Sequence, residues 1–575
     1  MEIHRAPAQH PPRQSVRLIF MDDIRKVIGD VCRELYGVEI EPELTRPDPK
    51  FGDFSTNIAL QLASQLDKKP REIAEELSAC ISSPDIATTN IAGPGFINFF
   101  LSDAALLRSL HEPTTVSRPL DGKIVVAEYS DPNPFKVLHA GHLYTTLVGN
   151  AVANLLEVGG ANVKRVNFGG DVGLHVAKAM WAIIREVGAA NPEEFLALVT
   201  EDKRPEWISG LYVQGNEAYE SDEISKQEII DINQRVYGLH SSEDRSSDFA
   251  KIYWTCRQWS YDGFEKLYEK LGVAPFDKYY PESETTDLGL ESAAELLQKG
   301  ILEKSEGAIV YHGEKDGLHT RVFINSNGLP TYETKDLGLV LAKWRDYHFD
   351  QSIMITANDI QEYMKVVLKV VSTTTPEIAS RSTHITHGLI KLAGGQKMSS
   401  RKGNILLAND VLDAAAKASA DSGNRVDPEV TIGAVKYAFL KNRIGGDIVY
   451  DPAESVSIEG NSGPYLQYAH ARARSIISKS SSTPTQPDSL EAWERILVKK
   501  IGEYPEVVAK AVTDLMPHHI CTYLYELCQE FNRFYENSRV IGDPRESFRL
   551  SMLVSYADVL KNGLEILGIT APDKM

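Results

Sequence analysis

The chain is 575 residues long, 42% hydrophobic and 25% charged, with a formal net charge of −19. Length and composition fit a folded protein of about three or four domains, with no apolar run long enough to cross a membrane. The acidic balance excludes a generally basic, non-specific nucleic-acid binder, but not RNA binding through a local cationic face, which salt would weaken.

Residues 1–20 are rich in Pro, His and Gln, show no hydrophobic period and are expected to form a disordered tail. The apolar segment of a secretory signal is missing. Met21, where a helical pattern begins (Ile24, Val27, Ile28, Val31, Leu35), is an alternative start that the mass of the native protein would settle. A first domain is expected over residues 21–115, with helices at 22–36, 54–66 and 70–81 and strands at 86–91 and 96–101. Within it Gly93-Pro94-Gly95 reads as a turn and Phe96-Ile97-Asn98-Phe99-Phe100 as a strand. An aromatic beside an amide can stack on and hydrogen-bond a splayed RNA base; an ordinary core strand reads the same way.

Residues 120–425 carry the chemistry. Ile124 to Ala127 is a short β-branched run and reads as a buried strand; Pro132-Asn133-Pro134 then breaks it. His139-Ala140-Gly141-His142 follows, and from Leu143 to Leu156 the apolar spacing is helical, so a helix is predicted to start near the second histidine. A strand, a loop and a helix N-terminus form the place where α/β proteins bind phosphate. Two imidazoles can donate to phosphate oxygens, and Gly141 lets a nucleotide lie against the backbone. A lone His-x-Gly-His is as often two ordinary histidines; its position after a strand favours the functional reading. Val163–Phe168 reads as a second strand running into Gly169-Gly170-Asp171-Val172-Gly173-Leu174-His175, where glycines permit close ligand approach.

Residues 190–295 are polar helices and loops, read as an insertion within which Trp207, Trp254 and Trp259 pack. Strand character returns at 308–311, 321–324, 352–356 and 384–390, and such alternation implies a parallel sheet. Lys397-Met398-Ser399-Ser400-Arg401-Lys402-Gly403-Asn404 then gathers three cations, two hydroxyls and a glycine. It suits a clamp on a triphosphate, although a solvated basic loop has the same composition. Residues 426–575 are helical in pattern and read as a separate bundle, with Lys436, Lys441, Arg443, Arg472, Arg474 and Arg533 as candidates for a basic face. The five cysteines show no metal-ligand spacing and suggest free thiols in a reducing compartment, the cytoplasm.

The His-Ala-Gly-His and Lys-Met-Ser-Ser segments together resemble the paired nucleotide motifs of class I aminoacyl-tRNA synthetases, usually written HIGH and KMSKS. Ser400 departs from the second lysine of the latter, a charge that Arg401 or Lys402 is placed to supply. The Gly93–Phe100 strand, Gly463-Pro464-Tyr465-Leu466-Gln467-Tyr468-Ala469-His470-Ala471-Arg472 and Phe531-Asn532-Arg533-Phe534-Tyr535 resemble arginyl-tRNA synthetases specifically, over nearly the whole chain from Met21. Tyr144 departs from that family, which commonly has arginine after the second histidine.

The resemblance implies an α/β fold. It comprises a Rossmann-type class I catalytic domain, an N-terminal α/β domain contacting tRNA and a C-terminal α-helical anticodon-binding bundle. It implies activation of L-arginine by ATP with Mg²⁺, transfer to the tRNA 3′ end, tRNA binding before activation, and a monomer with no membrane attachment. Catalysis falls to Lys136, His139, His142, Lys397, Arg401 and Lys402. ATP falls to His139, Gly141, His142, Gly170, Asp171, Gly173, His387, Lys397, Met398, Ser399 and Ser400, with no protein metal site. Arginine falls to Glu128, Tyr129, Asn133, His142, Tyr332 and Asp336, and tRNA to Phe96, Asn98, Arg472, Arg533 and Tyr535. A family glutamine near Asn358–Gln361 has no unambiguous counterpart. Two rivals are a small-molecule adenylyltransferase, which has no use for the C-terminal bundle, and an inactive RNA-binding relative, which has none for the intact histidine and lysine–serine motifs.

Overall fold

A computed structural model describes residues 21–110, 113–242, 244–393, 406–423, 426–480, 485, 487 and 489–575. The expected tail and the whole Lys397–Lys402 segment lie outside the described residues.

The N-terminal unit opens with the helix Met21–Tyr36, which buries Ile24, Ile28, Val31 and Cys32 along one face. Helices Ile58–Leu66 and Pro70–Cys80 follow, beside an antiparallel sheet of β1 (Phe54–Thr56), β2 (Ile86–Ala92) and β3 (Phe96–Leu101), in the order β1-β3-β2. The expected helix over 54–66 is corrected at its start. Phe54–Thr56 are strand, Phe54 pairing with Phe99, and all three residues are buried, a pattern with no helical period.

The catalytic core is a five-stranded sheet of β4 (Ile124–Glu128), β5 (Asn162–Gly169), β6 (Lys278–Pro281), β10 (Gln351–Ala357) and β11 (Ser382–His387), all parallel, in the order β11-β10-β4-β5-β6. A small antiparallel sheet of β7 (Glu303–Ser305), β8 (Ala308–Tyr311) and β9 (Arg321–Ile324) lies between β6 and β10 in sequence. The chain runs from β4 outward through β5 and β6, then returns to the other side of β4 with β10. This reversal makes a crevice beyond the carboxyl ends of β4 and β10, where doubly wound sheets hold ligands. Along β4, Val125 and Ala127 face one core and Val126 the other, the period of two of a strand buried on both faces.

Helices Arg204–Ser221, Glu223–Ser242 and Asp248–Lys270 form the insertion, with their own core around Leu211, Ile229, Val236 and Tyr253. The three tryptophans pack there as expected: Trp207 meets Trp259 edge-on at 6.2 Å between ring centroids, and Trp254 lies against Tyr253. Among the described residues from Leu406 onward the chain is helical, except that β13 (Ile448–Tyr450) pairs in parallel with β12 (Ile390–Leu392) and ties this part to the five-stranded sheet's unit.

The N-terminal unit is clamped to the C-terminal bundle: Arg495 bridges Asp53 at 3.0 Å and Asp103 at 2.6 Å, and Arg46 meets Glu506 at 2.8 Å. Inside the bundle Glu494 is fully buried and accepts from Arg545 and Arg549 at 2.5 and 2.9 Å. Burial pushes its proton affinity up, but Arg545, the Glu491 N–H and Arg549 hold it below the usual carboxylate range. Replacing Glu494 with Ala removes the buried acceptor shared by two arginines, which keep Glu491 and, for Arg549, Asp543 as partners; the lost charged hydrogen bonds should cost about 1.5–3 kcal/mol, read as a lower midpoint in urea unfolding of the full chain. Because the folded-state affinity is depressed, the stabilisation is present in full above about pH 4.3 and is lost as pH falls further.

Candidate active site

The loop leaving β4 is under backbone constraint. Ser130, Asp131 and Phe135 have φ of 77°, 48° and 66°, values that L-residues other than Gly, Asn and Asp rarely adopt and that concentrate at functional sites. Tertiary contacts fix the loop. Ser130 Oγ lies 2.7 Å from both Thr146 Oγ1 and Tyr268 Oη, and the Phe135 N–H donates to Ser260 Oγ at 3.0 Å.

His139 is the N-cap of the helix Ala140–Val158, which starts two residues before the second histidine. Its Nδ1 accepts from the Gly141 N–H at 3.1 Å and the His142 N–H at 3.4 Å. His142 Nδ1 accepts in turn from the His139 N–H at 3.4 Å. With each Nδ1 acting as acceptor, the proton of each ring sits on Nε2. The rings stack at 3.8 Å and 24°, so two parallel Nε2–H donors stand at a helix N-terminus. Burial, then the neighbouring Lys136, holds His139 down at about 4; burial, His139, Lys136 and His387 hold His142 well below its ordinary value. Both are therefore neutral near pH 7. A Cβ on Gly141 would fall 2.8 Å from the His139 ring, so the glycine is required by the cap itself, a nearer reason than ligand approach.

The glycine turn after β5 is positioned by this loop. The Gly170 N–H donates to Asn133 Oδ1 at 2.8 Å, and His175 Nε2 lies 2.7 Å from the Gly170 carbonyl. Gly173, at φ 109°, needs to be glycine. Asp171 is fully buried, its carboxylate accepting from Arg257 Nε at 2.9 Å and from the N–H and hydroxyl of Ser283 at 3.0 and 2.7 Å. The structure thus engages Asp171 in fixing the turn to the insertion. His387, at the end of β11, is buried, its Nδ1 2.9 Å from the Gly388 carbonyl and its Nε2 2.7 Å from Thr145 Oγ1. Tyr144 packs on that ring at 4.4 Å, and its buried hydroxyl has no hydrogen-bond partner among the described residues.

On the other face of β4 lies an acidic group. Glu128, on the Val126 side, is buried in an ion pair with the fully buried Lys343. Asp336 is buried and accepts from Tyr363 Oη at 3.0 Å. Asp131 Oδ1 accepts from the Phe168 N–H at 2.8 Å. Burial, then the charge of Glu128, pushes the proton affinities of Asp336 and Asp131 well above the usual range. A second buried pair, Lys335 with Glu282 at 2.5 Å, closes the side toward the insertion, where Lys335 also lies 5.3 Å from the Tyr332 ring. Tyr332 is 55% exposed at the start of the helix Tyr332–Tyr347 that carries Lys335, Asp336 and Lys343.

Of the expected site residues, the structure brings together Glu128, Asn133, Lys136, His139, Gly141, His142, Gly170, Gly173, Tyr332, Asp336 and His387 around the crevice. It turns Tyr129 to the opposite face of the strand, where its ring packs on Phe276 at 4.8 Å in the core. Lys136 lies 4.9 Å from the Tyr212 ring of the insertion. Asp131, Glu282, Lys335, Lys343 and Tyr363 escape sequence reading. The available signal was Lys343, seven residues after Asp336 and so on the same helical face.

Far from this crevice, Phe96 is exposed while Asn98, opposite Ser55 and Asn90, is buried. On the bundle the Arg472 guanidinium lies 4.2 Å over the Tyr535 ring, and Arg533 pairs with Glu530 at 2.7 Å on an exposed turn. Lys436 leaves the expected basic face: it is buried and donates to the Gly568 carbonyl.

The parallel sheet, its switch-point crevice and the histidine-capped helix are those of a class I aminoacyl-tRNA synthetase, and the class I (R) catalytic-domain family matches residues 108–451. The arginyl-tRNA synthetase N-terminal domain matches residues 22–101 and the DALR anticodon-binding domain residues 466–575. Arginine–tRNA ligases of Flavobacterium psychrophilum and Clostridium perfringens are each 30% identical, over 98% and 96% of this chain and 95% and 100% of their own. The chain belongs to the arginyl-tRNA synthetase family. The Thermus thermophilus arginyl-tRNA synthetase structure, 24% identical, superposes with a TM-score of 0.77 over 97% of this chain and all of that one, a likeness of fold.

Proposed function

We propose that the chain activates L-arginine with ATP and transfers it to tRNA, as an arginine–tRNA ligase. An oxygen of the arginine carboxylate attacks the α-phosphorus of ATP and pyrophosphate leaves. A terminal ribose hydroxyl of the tRNA then attacks the carbonyl carbon of the adenylate, and AMP leaves. The first step demands positioning and charge stabilisation more than covalent help. The paired Nε2–H groups of His139 and His142 meet the phosphates, with Lys136 adding a cation and Lys397, Arg401 and Lys402 the charge on the pyrophosphate side. Among the described residues no group of three or more His, Cys, Asp or Glu is arranged to hold a metal. Mg²⁺ enters this reading as an ion carried on the triphosphate oxygens, its usual mode with nucleotides.

The observation that carries the arginine reading is the acidic group. Among the described residues Glu128, Asp131 and Asp336 share one internal cation, Lys343, and a guanidinium supplies further positive charge in planar form. Domain roles follow: residues 21–115 and 426–575 hold the tRNA, and 120–425 the chemistry, in a cytoplasmic monomer. The test is ATP–pyrophosphate exchange, expected only with arginine and tRNA both present. Exchange supported by lysine instead, or none under any condition, refutes it.

Arg472, held over the Tyr535 ring, is a candidate bundle cation for a phosphate. Arg472→Ala should weaken tRNA binding severalfold at moderate salt and reduce the slope of log affinity against log salt by about one, measured by filter retention. Arginine affinity should not change.

A further inference from the structure

The end of the chain is fastened across two parts of the molecule at once. The helix Glu546–Ile566 closes in a turn where Gly568 stands at φ 68°, and the Gly568 and Ile569 N–H groups reach back to the Glu565 and Leu564 carbonyls at 2.9 and 2.8 Å. From Ile566 on, four carbonyls at every second residue each accept from a side chain of another helix. Asn154 Nδ2 donates to Ile566 at 3.0 Å, Lys436 Nζ to Gly568, Gln467 Nε2 to Thr570 at 2.8 Å and His470 Nδ1 to Pro572 at 2.9 Å. Arg474 then meets Asp573 at 3.2 Å. Asn154 belongs to the helix Ala140–Val158 that His139 caps, and Lys436 to the helix Pro428–Leu440. Gln467, His470 and Arg474 share the helix Gly463–Ile477 with Arg472.

Lys436 is the unusual member of this row. It is 3% exposed, and among the described residues it makes no ion pair, its ammonium meeting only the Gly568 carbonyl. The enclosure is tight: a Cβ on Gly568 would lie 3.1 Å from Asn150 Nδ2 and 3.2 Å from Lys436 Nζ. Charged groups on the surrounding elements are engaged elsewhere. Glu157 pairs with Arg165, Lys561 with Glu565 at 3.9 Å, Lys441 with Glu454 at 2.9 Å, and Asp277 accepts from the Arg165 N–H at 2.8 Å. Burial holds His470 below its ordinary value and Tyr504 above its own, so both are neutral between pH 7 and 9. A buried ammonium without a counter-charge is costly, and burial alone pulls Lys436 down to about 8.

We propose that Ile566–Asp573 is a strap that seats the helical bundle on the catalytic helix and opens locally, with Lys436 as the fastening whose unpaired ammonium keeps it releasable. The strap joins the helix that begins at the two histidines to the helix that bears Arg472, so its opening uncouples the histidine pair from the bundle. Opening returns Lys436 to water, where a lysine holds its proton up to about pH 10.4. The closed strap therefore has the lower proton affinity. Closure is weakest below about pH 8, where the ammonium is charged in both states, and strengthens as pH rises from there toward 10.4.

The test is amide hydrogen exchange of the full chain at pH 7, 8 and 9, read by mass spectrometry, with each rate divided by its value in an unstructured chain. Protection at Gly568 and Ile569 should rise by about tenfold between pH 7 and 9 in the parent. Protection of β4 and β10 should change much less, since the linked event is local. Lys436→Met keeps the length of the side chain and removes the charge, so the rise should vanish. A flat profile in the parent overturns the proposal, as does a rise that survives in Lys436→Met. An equal rise in β4 and β10 also overturns it, because the proton would then be linked to unfolding of the whole chain. Should Lys436→Met fail to fold, Gly568→Ala carries the second arm. Its Cβ presses on Asn150 and Lys436 at a positive φ, so strap protection should fall severalfold at every pH while β4 and β10 keep theirs. Unchanged strap protection in Gly568→Ala overturns the proposal. Because the readout is amide exchange, it does not depend on the ligase reading.

Discussion

His142→Ala lowers the single-turnover rate of arginyl-adenylate formation by on the order of 10²–10³, the usual loss when one preorganised donor to a developing oxyanion is removed. The geometry makes this a clean substitution. His139 keeps its cap because its Nδ1 accepts from backbone N–H groups that alanine retains. What disappears is one of two stacked Nε2–H donors and the acceptor for the His139 N–H. tRNA binding should stay within about twofold, because the candidate tRNA residues on the bundle lie elsewhere. An unchanged activation rate in rapid quench would show that the phosphates are held without His142.

The same pair fixes a pH expectation. His139 is held at about 4 and His142 well below 6.5, so neither gains a proton between pH 6 and 8, and neither should add a limb to the activation profile in that range. Folding excludes protons that the unfolded chain would bind. These two rings therefore contribute stability that is present above about pH 6.5 and is lost as pH falls toward their folded values.

The nucleotide half of the site was legible in the sequence because it is local. A strand, two prolines and a His-x-Gly-His before a helical period occupy about twenty consecutive residues, and the structure changes only where the helix starts. The acidic group was legible in part. Glu128 and Asp336 were singled out, and Lys343 shares the helix of Asp336, but Glu282 and Tyr363 reach the group from separate elements, and such long-range pairing leaves no short sequence signature. Tyr129 shows the reverse error. It adjoins Glu128 in sequence, but the period of two in a strand sends consecutive side chains to opposite faces. In β3 that period is not visible in burial: Ile97, Asn98 and Phe99 are all buried, while Phe96, at the strand's first position, is exposed. Phe54–Thr56 escaped because three residues are too few to show a period in the sequence.

Asp336→Asn should cut arginine affinity by more than tenfold while leaving ATP affinity nearly unchanged. Asp336 is 4% exposed, and its one protein donor among the described residues is the Tyr363 hydroxyl at 3.0 Å on Oδ2, which leaves its remaining acceptor capacity for a ligand. Glu128, another expected arginine contact, has an ion pair with Lys343, whereas among the described residues no ion pair is made by Asp336. Asparagine keeps the size and the Tyr363 contact and removes the charge. Breaking one side of a desolvated charge pair costs roughly 2–5 kcal/mol, and 1.4 kcal/mol is already tenfold. The adenosine and phosphates are proposed to fall to the glycine turn, the histidines and the lysine–serine segment rather than to Asp336, so ATP should titrate as in the parent chain. The pH dependence separates charge from shape. Burial and Glu128 raise the proton affinity of Asp336, so parent arginine affinity should weaken as pH falls and the carboxyl takes up its proton, and Asp336→Asn should lose that limb. Parallel calorimetric titrations with arginine and ATP read both halves. Equal arginine affinity in the two chains would move the guanidinium to Asp131, the other carboxylate of the group without a cation of its own.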